Sequence, residues 1–277
     1  MRWKQFFTPV ESVDAQKAQE IINATSAHDL NIVDVRQPKE YEKGHIPGAK
    51  LVPLPELDNR LQELDPEKAT VVYCAVGGRS RAAAQMLSGQ GYTAVYNLKG
   101  GFKAWNGEAA AGPEVDSLEL FSGSETLTDL IVAAYGLEYG LQELYESMQP
   151  AVDNQEVSRL FEKLAKIEKG HKERLFQEYR KMNAEMANRE DFEQQVVVKA
   201  LEGGFTTEEV VNRMQQVQDS TSGILDVAMS IEAQALDLYQ RAADSQPDKE
   251  GREFLKQLVD EEKSHLAQLG RLMDQVS

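Results

Sequence analysis

The feature that most constrains this chain is a four-residue pattern, Glu-x-x-His, that occurs twice within an internal repeat. A further glutamate stands 30 residues before each copy, and the second set follows the first at an offset of 94 residues. The positions are Glu138, Glu168 and His171 in the first set and Glu232, Glu262 and His265 in the second. Residues three apart share a helix face, so each Glu and His pair is placed to bind one metal ion.

The spacing of these residues predicts two helical hairpins. At 1.5 Å per residue, the helix from Glu138 to a turn near Pro150 spans about 18 Å, and the return from Asp153 to Glu168 about 22 Å. Both carboxylates therefore reach a similar height in an antiparallel pair. The second set repeats this arithmetic about a turn near Pro247. Two such hairpins predict an all-α four-helix bundle with six candidate ligands at one level.

All six positions fall within the apolar stripes of their predicted helices. A carboxylate in a bundle core costs several kcal/mol unless it is paired or bound to a cation, and four carboxylates together repel one another. Two divalent cations would balance the four charges, and the two neutral histidines would complete the ligand set. Glu and His suit iron, manganese and zinc alike. Tyr145 and Tyr239, which keep the same repeat, are interpreted as core packing, with a hydrogen bond to a ligand as the alternative.

The segments around these hairpins carry helix boundary signals. Ser124 is predicted to cap the first long helix, with Glu125 in its first turn. Residues 184–220 are predicted to form one long crossover between the second and third long helices. Gly203-Gly204 breaks it, and the sequence from Thr206 to Glu209 resembles a capping box that opens a short helix.

The first 110 residues show a different pattern, in which short apolar strands alternate with helices. Strands are predicted at residues 30–35, 70–74 and 94–96, and helices at 14–24 and 81–89. This alternation predicts an α/β domain with a mostly parallel sheet.

The one cysteine of the chain, Cys74, ends the second of these strands. The loop after it consists of Ala75, Val76, Gly77, Gly78, Arg79 and Ser80. Two glycines allow the backbone to curl so that N–H groups converge on one point, and the following helix adds its positive end. A cysteine at that point is predicted to ionise readily and to act as a nucleophile.

This loop resembles the active-site loop of the rhodanese family. Four other segments carry the likeness, which covers residues 8–108: Asp34-Val35-Arg36, Glu40-Tyr41, the stretch from Gly44 to Ala49, and the stretch from Gly100 to Trp105. The resemblance implies that Cys74 carries sulfane sulfur as a persulfide cradled by the loop amides. Arg79 would steady the loop or an anionic donor such as thiosulfate, and a thiol or cyanide would be the acceptor. Asp34, Arg36, Glu40 and His45 are interpreted as structural.

The length of the loop favours sulfur over phosphate chemistry. Related phosphatases place five residues between the cysteine and the arginine, which makes a cradle wide enough for phosphate. Here four residues, 75–78, separate Cys74 from Arg79. The smaller ring suits a single sulfur atom, so sulfur transfer is preferred to phosphate hydrolysis.

Residues 124–277 resemble the rubrerythrin and ferritin-like group, through the six ligand positions and the long crossover. The resemblance implies a pair of metal ions, iron before manganese or zinc, that react with peroxide or oxygen. A complete rubrerythrin also carries an iron–sulfur module with four cysteines, whereas this chain has Cys74 alone. An external electron donor is therefore expected.

Charge and composition divide the chain in the same way. The net charge of −16 arises in residues 111–277, with 17 basic and 33 acidic side chains, whereas residues 1–110 carry 13 of each. An acidic surface argues against nucleic acid and anionic membranes as partners. The single cysteine, a beginning too short in apolar residues for a signal peptide and the lack of a membrane-spanning apolar run favour the cytoplasm.

The sequence therefore predicts a rhodanese-like domain at 1–110, a linker at 111–123 and a di-metal bundle at 124–277. The preferred interpretation is a two-part enzyme that joins sulfur transfer to peroxide or oxygen chemistry. Two alternatives stay open: the bundle is a metal-binding and dimerising scaffold without turnover, or the first domain is a sulfur sensor. A homodimer is expected from the bundle.

Overall fold

The computed structural model describes residues 10–111, 121, 124–182, 188–196 and 207–276. The chain divides into two compact units, residues 1–117 and 118–277. The division falls inside the predicted linker, most of which lies outside the described residues.

Within the described ranges, no helix combines the length and the apolar character that crossing a membrane requires.

The first unit contains a five-stranded sheet in which every neighbouring pair of strands is parallel. The strands are β1 Glu11–Val13, β2 Leu30–Asp34, β3 Lys50–Leu51, β4 Ala69–Tyr73 and β5 Val95–Leu98, in the spatial order β1-β5-β4-β2-β3. The three predicted strands correspond to β2, β4 and β5. The two edge strands, three and two residues long, are too short to show a periodic pattern. Because parallel strands end at one edge, the residues after β2 and β4 meet there.

Within residues 10–111, three α-helices accompany the sheet: α1 Ala15–Ala24, α2 Pro38–Tyr41 and α3 Gly78–Gly89. Helix α1 begins one residue after the predicted start, because Asp14 is its N-cap and accepts from the N–H of Lys17 at 2.9 Å. Helix α3 begins three residues before the predicted start at Arg81. Gly77 has φ +95° and turns the chain sharply at the N-cap position, so the last three loop residues already form the first helical turn.

Apolar cores cover both faces of this sheet. Val33, Val72 and Leu87 belong to the core on one face, whereas Val71, Tyr73 and Leu98 belong to the core on the other. Successive residues of β4 thus point to opposite faces, as a strand buried on both sides requires. Such burial explains the continuous apolar run that predicted this strand.

A buried ion pair fixes the end of β2. The guanidinium of Arg36 donates to both carboxylate oxygens of Asp34, at 2.6 to 3.0 Å, and to the carbonyl oxygen of Gly44 at 2.7 Å. It also lies 4.4 Å from the ring centroid of Phe102. His45 stacks on Tyr41 with the ring centroids 3.6 Å apart. Asp34, Arg36 and His45 thus make contacts within the fold, as their structural interpretation expects.

In the part of the second unit that the structure describes, there are four long helices and two short ones. The long helices are α4 Leu127–Met148, α5 Gln155–Met182, α8 Thr221–Ser245 and α9 Lys249–Val276, and the short ones are α6 Arg189–Glu193 and α7 Thr207–Val217. Helices α4 and α5 pack as one hairpin and α8 and α9 as another, with further contacts of α4 with α9 and of α5 with α8. This arrangement is the predicted bundle with one long crossover.

The predicted cap of the first long helix was wrong. The helix begins after Thr126, not after Ser124, because Thr126 and Asp129 form a reciprocal capping box. The Thr126 hydroxyl oxygen accepts from the N–H of Asp129 at 3.2 Å, and the Asp129 carboxylate accepts from the N–H of Thr126 at 2.9 Å. The predicted break at Gly203-Gly204 and the first residue of the predicted capping box, Thr206, lie outside the described residues, but the short helix that this box was predicted to open is present as α7, which begins at Thr207.

The two repeated tyrosines lie in the interior of the bundle. The ring of Tyr145 lies 6.2 Å from that of Phe161, and the ring of Tyr239 lies 6.2 Å from that of Phe121. Both tyrosines are fully buried. These contacts are those of packed aromatic side chains, in keeping with the first of the two interpretations.

We expect the substitution Arg36→Met to destabilise the first unit by about 3–5 kcal/mol, because it leaves the buried Asp34 carboxylate without its cation. Trp105 lies in this unit and residues 118–277 contain no tryptophan, so tryptophan fluorescence during urea unfolding reports the first unit. Lys17→Met removes an exposed ion pair with Glu20 and serves as the control, with nearly unchanged stability expected. Equal midpoints for the two variants would contradict the assignment.

Candidate functional sites

The sulfur atom of Cys74 lies directly after the C-terminal end of β4, among several hydrogen-bond donors. Its Sγ accepts a hydrogen bond from the N–H of Gly77 at 3.1 Å and lies 3.5 Å from the hydroxyl oxygen of Ser80. Burial raises the pKa of this thiol, but the Ser80 hydroxyl and the N–H groups of Ser80, Val76 and Gly77 outweigh burial and lower the pKa overall. The loop therefore favours a thiolate, as the sequence predicts.

A short 3-10 turn, Gly101–Ala104, packs against the backbone of the Cys74 loop. The N–H of Phe102 donates to the carbonyl oxygen of Cys74 at 2.7 Å, and that of Lys103 donates to the carbonyl oxygen of Ala75 at 3.1 Å. Gly101 has φ +62°, and a Cβ atom there would lie 2.1 Å from the Cys74 carbonyl oxygen. Only glycine allows this approach, which explains the paired glycines before Phe102.

The guanidinium of Arg79 forms two hydrogen bonds with the carboxylate of Glu40, at 2.8 and 2.9 Å. Arg79 lowers the pKa of Glu40 to about 2, with a smaller contribution from the N–H of Gln37. The charge of Cys74 in turn contributes to the raised pKa of Arg79. Arg79 therefore links α3 to α2 beside the sulfur. Glu40, interpreted as structural, contacts the Cys74 loop through this ion pair.

One buried polar residue near the sulfur was not identified from the sequence. Asn97 on β5 accepts a hydrogen bond from the Ser80 hydroxyl at 2.7 Å and donates to the hydroxyl oxygen of Ser12 at 3.0 Å. The one available signal was an amide residue inside an otherwise apolar strand, Val95–Leu98. Buried polar side chains of this kind are hydrogen-bonded and need a reason to be there.

The helical unit brings all six predicted metal ligands into its interior. Each of the four long helices contributes at least one of them, and each glutamate is at most 3% exposed. In both halves, two carboxylate oxygens and one imidazole nitrogen lie within 4.8 Å of one another. The clusters are Glu138, Glu168 and His171, and Glu232, Glu262 and His265. That span is comparable with twice a metal–ligand bond of about 2.0–2.2 Å.

The same imidazole nitrogen faces both carboxylates in each cluster. Nδ1 of His171 lies 3.2 Å from Glu138 Oε2 and 3.0 Å from Glu168 Oε2. Nδ1 of His265 lies 3.3 Å from Glu232 Oε2 and 2.9 Å from Glu262 Oε2. One N–H cannot satisfy two carboxylates fully, and Glu168 Oε2 is buried and, although close to Nδ1 of His171, is not aligned for a hydrogen bond with it.

The two clusters are parts of one site. The rings of His171 and His265 stack with their centroids 3.9 Å apart and their planes 8° from parallel. Glu232 of the second cluster also raises the pKa of Glu168 in the first. Four carboxylates and two imidazoles thus share one buried region, as the repeat predicted.

The electrostatics of this region show a demand for positive charge. Burial and the carboxylates of Glu138 and Glu232 raise the pKa of Glu168 well above its ordinary value, although His171 opposes them. Burial lowers the pKa of His171, but Glu138 and Glu168 outweigh it and raise the value to about 11. Cations held among the oxygens would meet this demand, so the donor set and its charge fit divalent metal ions.

Three further charged residues near the centre were not identified from the sequence. Arg174 forms an ion pair with Glu261, and both side chains are partly exposed. Burial and, less strongly, the charge of Glu138 raise the pKa of Glu261, whereas the charges of Arg174, His265 and His171 lower it. This carboxylate therefore lies within electrostatic reach of the centre. Lys172, mostly buried, lies 4.0 Å from the ring centroid of Tyr139. These contacts join residues far apart in sequence and leave no local motif.

The fold and the two sites define a protein with a rhodanese-type α/β domain and a ferritin-like bundle that carries a carboxylate and histidine centre. The family model of the rhodanese-like domain matches residues 14–108, and that of rubrerythrin matches residues 129–273. The second match covers more than half of the chain. This chain therefore belongs to the rubrerythrin family, with a rhodanese-like domain before the rubrerythrin domain.

Individual relatives match parts of the chain. "Uncharacterized protein YqhL" of Bacillus subtilis is 48% identical over 80 residues, 29% of this chain and 64% of the relative. "Putative sulfur carrier protein YrkF" of the same organism is 41% identical over 83 residues, 30% of this chain and 45% of the relative. The chain thus spans less than two thirds of either. A solved rhodanese-like domain protein from Staphylococcus aureus is 28% identical, with a TM-score of 0.33, over 36% of this chain and 94% of its own.

We expect Gly101→Ala to push the Cys74 loop out of place, because its Cβ atom would overlap the loop backbone. Misplaced N–H groups stabilise the thiolate less, so alkylation of the single cysteine by iodoacetamide at neutral pH should slow about tenfold, equivalent to one pKa unit. Gly91→Ala is the matched control, because Gly91 also has a positive φ (+97°) but nothing within 4 Å of the added atom. Equal slowing in both variants would mean that backbone strain, and not the close contact, is responsible.

Proposed function

We propose that the first domain is a sulfurtransferase that carries sulfane sulfur as a persulfide on Cys74. The observation that carries this proposal is the convergence of the Ser80 hydroxyl and three loop N–H groups on one sulfur atom with a lowered pKa. A thiolate is the form that attacks a donor. The family match of residues 14–108 supports the same chemistry.

The reaction consists of two displacements. The Cys74 thiolate attacks the outer sulfur of the donor, the donor's S–S bond breaks, and its electron pair leaves with sulfite from thiosulfate or with a thiolate from an organic persulfide. The new terminal sulfur then carries the negative charge, which the loop N–H groups stabilise. An acceptor thiolate or cyanide attacks this sulfur and restores the Cys74 thiolate. Arg79 holds the first turn of α3 beside the sulfur through its pair with Glu40.

For the bundle, we propose a pair of metal ions, iron before manganese or zinc. Glu138, Glu168 and His171 would hold one ion, and Glu232, Glu262 and His265 the other. Two bound iron ions would supply electron transfer to peroxide or oxygen, with electrons from an external donor. The chain's own part is to offer four buried carboxylates whose combined charge matches two divalent cations. We further propose a cytoplasmic homodimer.

A second function for the bundle is a metal-binding scaffold without turnover. The helices bury the ligands closely, with Glu138, Glu168 and Glu262 each 1% exposed, which also suits a purely structural centre. Peroxide added to the reduced, iron-loaded protein separates the two functions. Oxidation of the iron supports the oxidoreductase, and an inert centre supports the scaffold.

We expect incubation with thiosulfate or an organic persulfide to add the mass of one sulfur atom to the protein, and cyanide to remove it as thiocyanate. Cys74→Ser abolishes both signals, because no second cysteine is present to accept the sulfur. Intact-protein mass spectrometry and thiocyanate detection measure the two steps. Sulfur loading that survives Cys74→Ser would reject Cys74 as the carrier.

We expect the protein to bind about two divalent ions per chain and to gain thermal stability from them, since a ligand that binds only the folded state stabilises it. Glu168→Gln should reduce the bound metal and the gain in melting temperature. In metal-free protein the same change should raise the melting temperature, because it removes one of the mutually repelling buried carboxylates. Circular dichroism and elemental analysis provide the measurements.

Glu162→Gln on the exposed side of the same helix is the control for this metal prediction and should change neither quantity. If Glu168→Gln destabilised the metal-free protein and left the metal content intact, Glu168 would be a structural residue and not a ligand.

A further inference from the structure

The hydroxyl of Ser80 lies between two acceptors. Its oxygen is 2.7 Å from Oδ1 of Asn97 and 3.5 Å from Sγ of Cys74. All three residues are buried, at 0%, 3% and 1% exposure. A serine hydroxyl has one hydrogen, so it donates to only one of these acceptors at a time. In this structure the shorter contact assigns the hydrogen to Asn97.

The charge on Cys74 Sγ decides which acceptor is stronger, and here the argument rests on the proposed sulfur transfer. In the unloaded protein Sγ accepts strongly when Cys74 is ionised to the thiolate and only weakly when it carries its proton. In the loaded protein Sγ bridges two neighbours and is neutral, because the charge has moved to the terminal sulfur. A buried hydroxyl hydrogen without an acceptor is unfavourable in either state.

We propose that Asn97 is a positioning residue that accepts the Ser80 hydrogen whenever Cys74 Sγ is neutral and releases it when Sγ is anionic. The Ser80 hydroxyl is then a two-position switch that follows the charge on the sulfur. The side-chain hydrogen bonds of Asn97 go to Ser80 and Ser12, so Asn97 acts on the sulfur through Ser80. Because the Ser80 hydroxyl has an acceptor in both states, Cys74 can gain and lose sulfur without leaving this buried hydroxyl hydrogen unpaired.

The packing of β5 holds the Asn97 amide in the required orientation. Strand β5 lies between β1 and β4, and Asn97 stands beside Ser12 in the register of β1. Its Nδ2 donates to the Ser12 hydroxyl oxygen at 3.0 Å, which turns Oδ1 toward Ser80. The opposite orientation would direct the NH₂ group at Ser80 and leave Sγ as the acceptor in both states. The two orientations predict opposite effects of removing the amide.

The charged and titratable groups of the surrounding elements stay in place in the variants that test this proposal. On β2, β4, β5, α2, α3 and the 3-10 turn, these residues are Asp34, Lys39, Glu40, Tyr41, Tyr73, Arg79, Arg81, Tyr96 and Lys103, with Arg36 and Lys99 in the adjoining loops. Arg36 pairs with Asp34, and Arg79 pairs with Glu40. Burial raises the pKa of Tyr73 well above its ordinary value, so it is neutral throughout. A shift confined to changes at Asn97 therefore reports the hydroxyl.

The test compares Asn97→Val with Asn97→Thr, which have the same shape and differ in the presence of an acceptor oxygen. Both residues favour strands, as this position requires. The pH dependence of iodoacetamide alkylation of the unloaded full-length protein gives the pKa of Cys74, its one cysteine. In Asn97→Val the protonated thiol state leaves the Ser80 hydrogen without its acceptor, whereas the thiolate still accepts it, so we expect the pKa of Cys74 to fall by about one unit. Asn97→Thr should stay near the wild-type value.

The Ser80→Ala background isolates the route of the effect. Ser80→Ala alone should raise the pKa of Cys74, and the difference between Val and Thr at position 97 should then vanish. Asn97→Ala and Asn97→Ser repeat the comparison with smaller side chains if the larger ones do not fold, which tryptophan fluorescence shows. A rise of the pKa in Asn97→Val, equal values for Val and Thr, or a difference that persists without Ser80 would each overturn the switch.

Sulfur loading provides a second measurement. In Asn97→Val the loaded state leaves the Ser80 hydrogen without an acceptor, so the fraction of Cys74 persulfide at a fixed donor and acceptor ratio should fall relative to Asn97→Thr. Equal fractions would contradict the proposal. The lack of any persulfide in every variant, the wild type included, would count against the proposed sulfur transfer, whereas the alkylation result tests the switch without a sulfur donor.

Discussion

Both units of this protein are organised around negative charge that is kept out of water and must be balanced locally. In the bundle, four glutamates point inward from four helices, and histidines are the balancing side chains at the same level. In the α/β unit, the Asp34 carboxylate is balanced by Arg36, and the Cys74 sulfur by the Ser80 hydroxyl and N–H groups. Asp34 is balanced by the permanent charge of an arginine and is interpreted as structural. The bundle carboxylates and the Cys74 sulfur are balanced by histidines and by hydrogen-bond donors instead, and they are the candidates for chemistry.

The two sites reach this balance by different routes. The sulfur site depends on the edge at which parallel strands end, because β4 delivers Cys74 there and Gly77 turns the chain at once into α3. Its donors are mainly backbone groups from one short loop. The bundle site has no such loop and collects side chains from distant positions, so its geometry depends on the register of two hairpins. A shift of either hairpin by one residue would rotate its ligands away from the centre.

The parts that could be predicted from the sequence are those whose signals are local or repeated. The six bundle residues carry a repeat of 94 positions, and the sulfur loop is one continuous motif, so both were identified with their residues. The correct start of the first long helix could also have been recognised. An acidic residue lies three positions after Thr126, whereas the residue three positions after Ser124 is Leu127, which cannot complete a capping box. The contacts that could not be predicted, such as Ser80 with Asn97 and Arg174 with Glu261, join segments that only the fold brings together.

The repeated hairpins make the bundle nearly symmetric, but the Arg174–Glu261 pair breaks the repeat. The residues at the corresponding positions are Gln268 and Ile167, which cannot form a salt bridge. His171, one turn from Arg174, also has a more exposed side chain than His265, at 14% against 9%. The two halves of the centre are therefore inequivalent, because one of the two repeated hairpins has a charged pair beside its ligands. Two ions bound there would differ in redox potential and in the order in which they exchange.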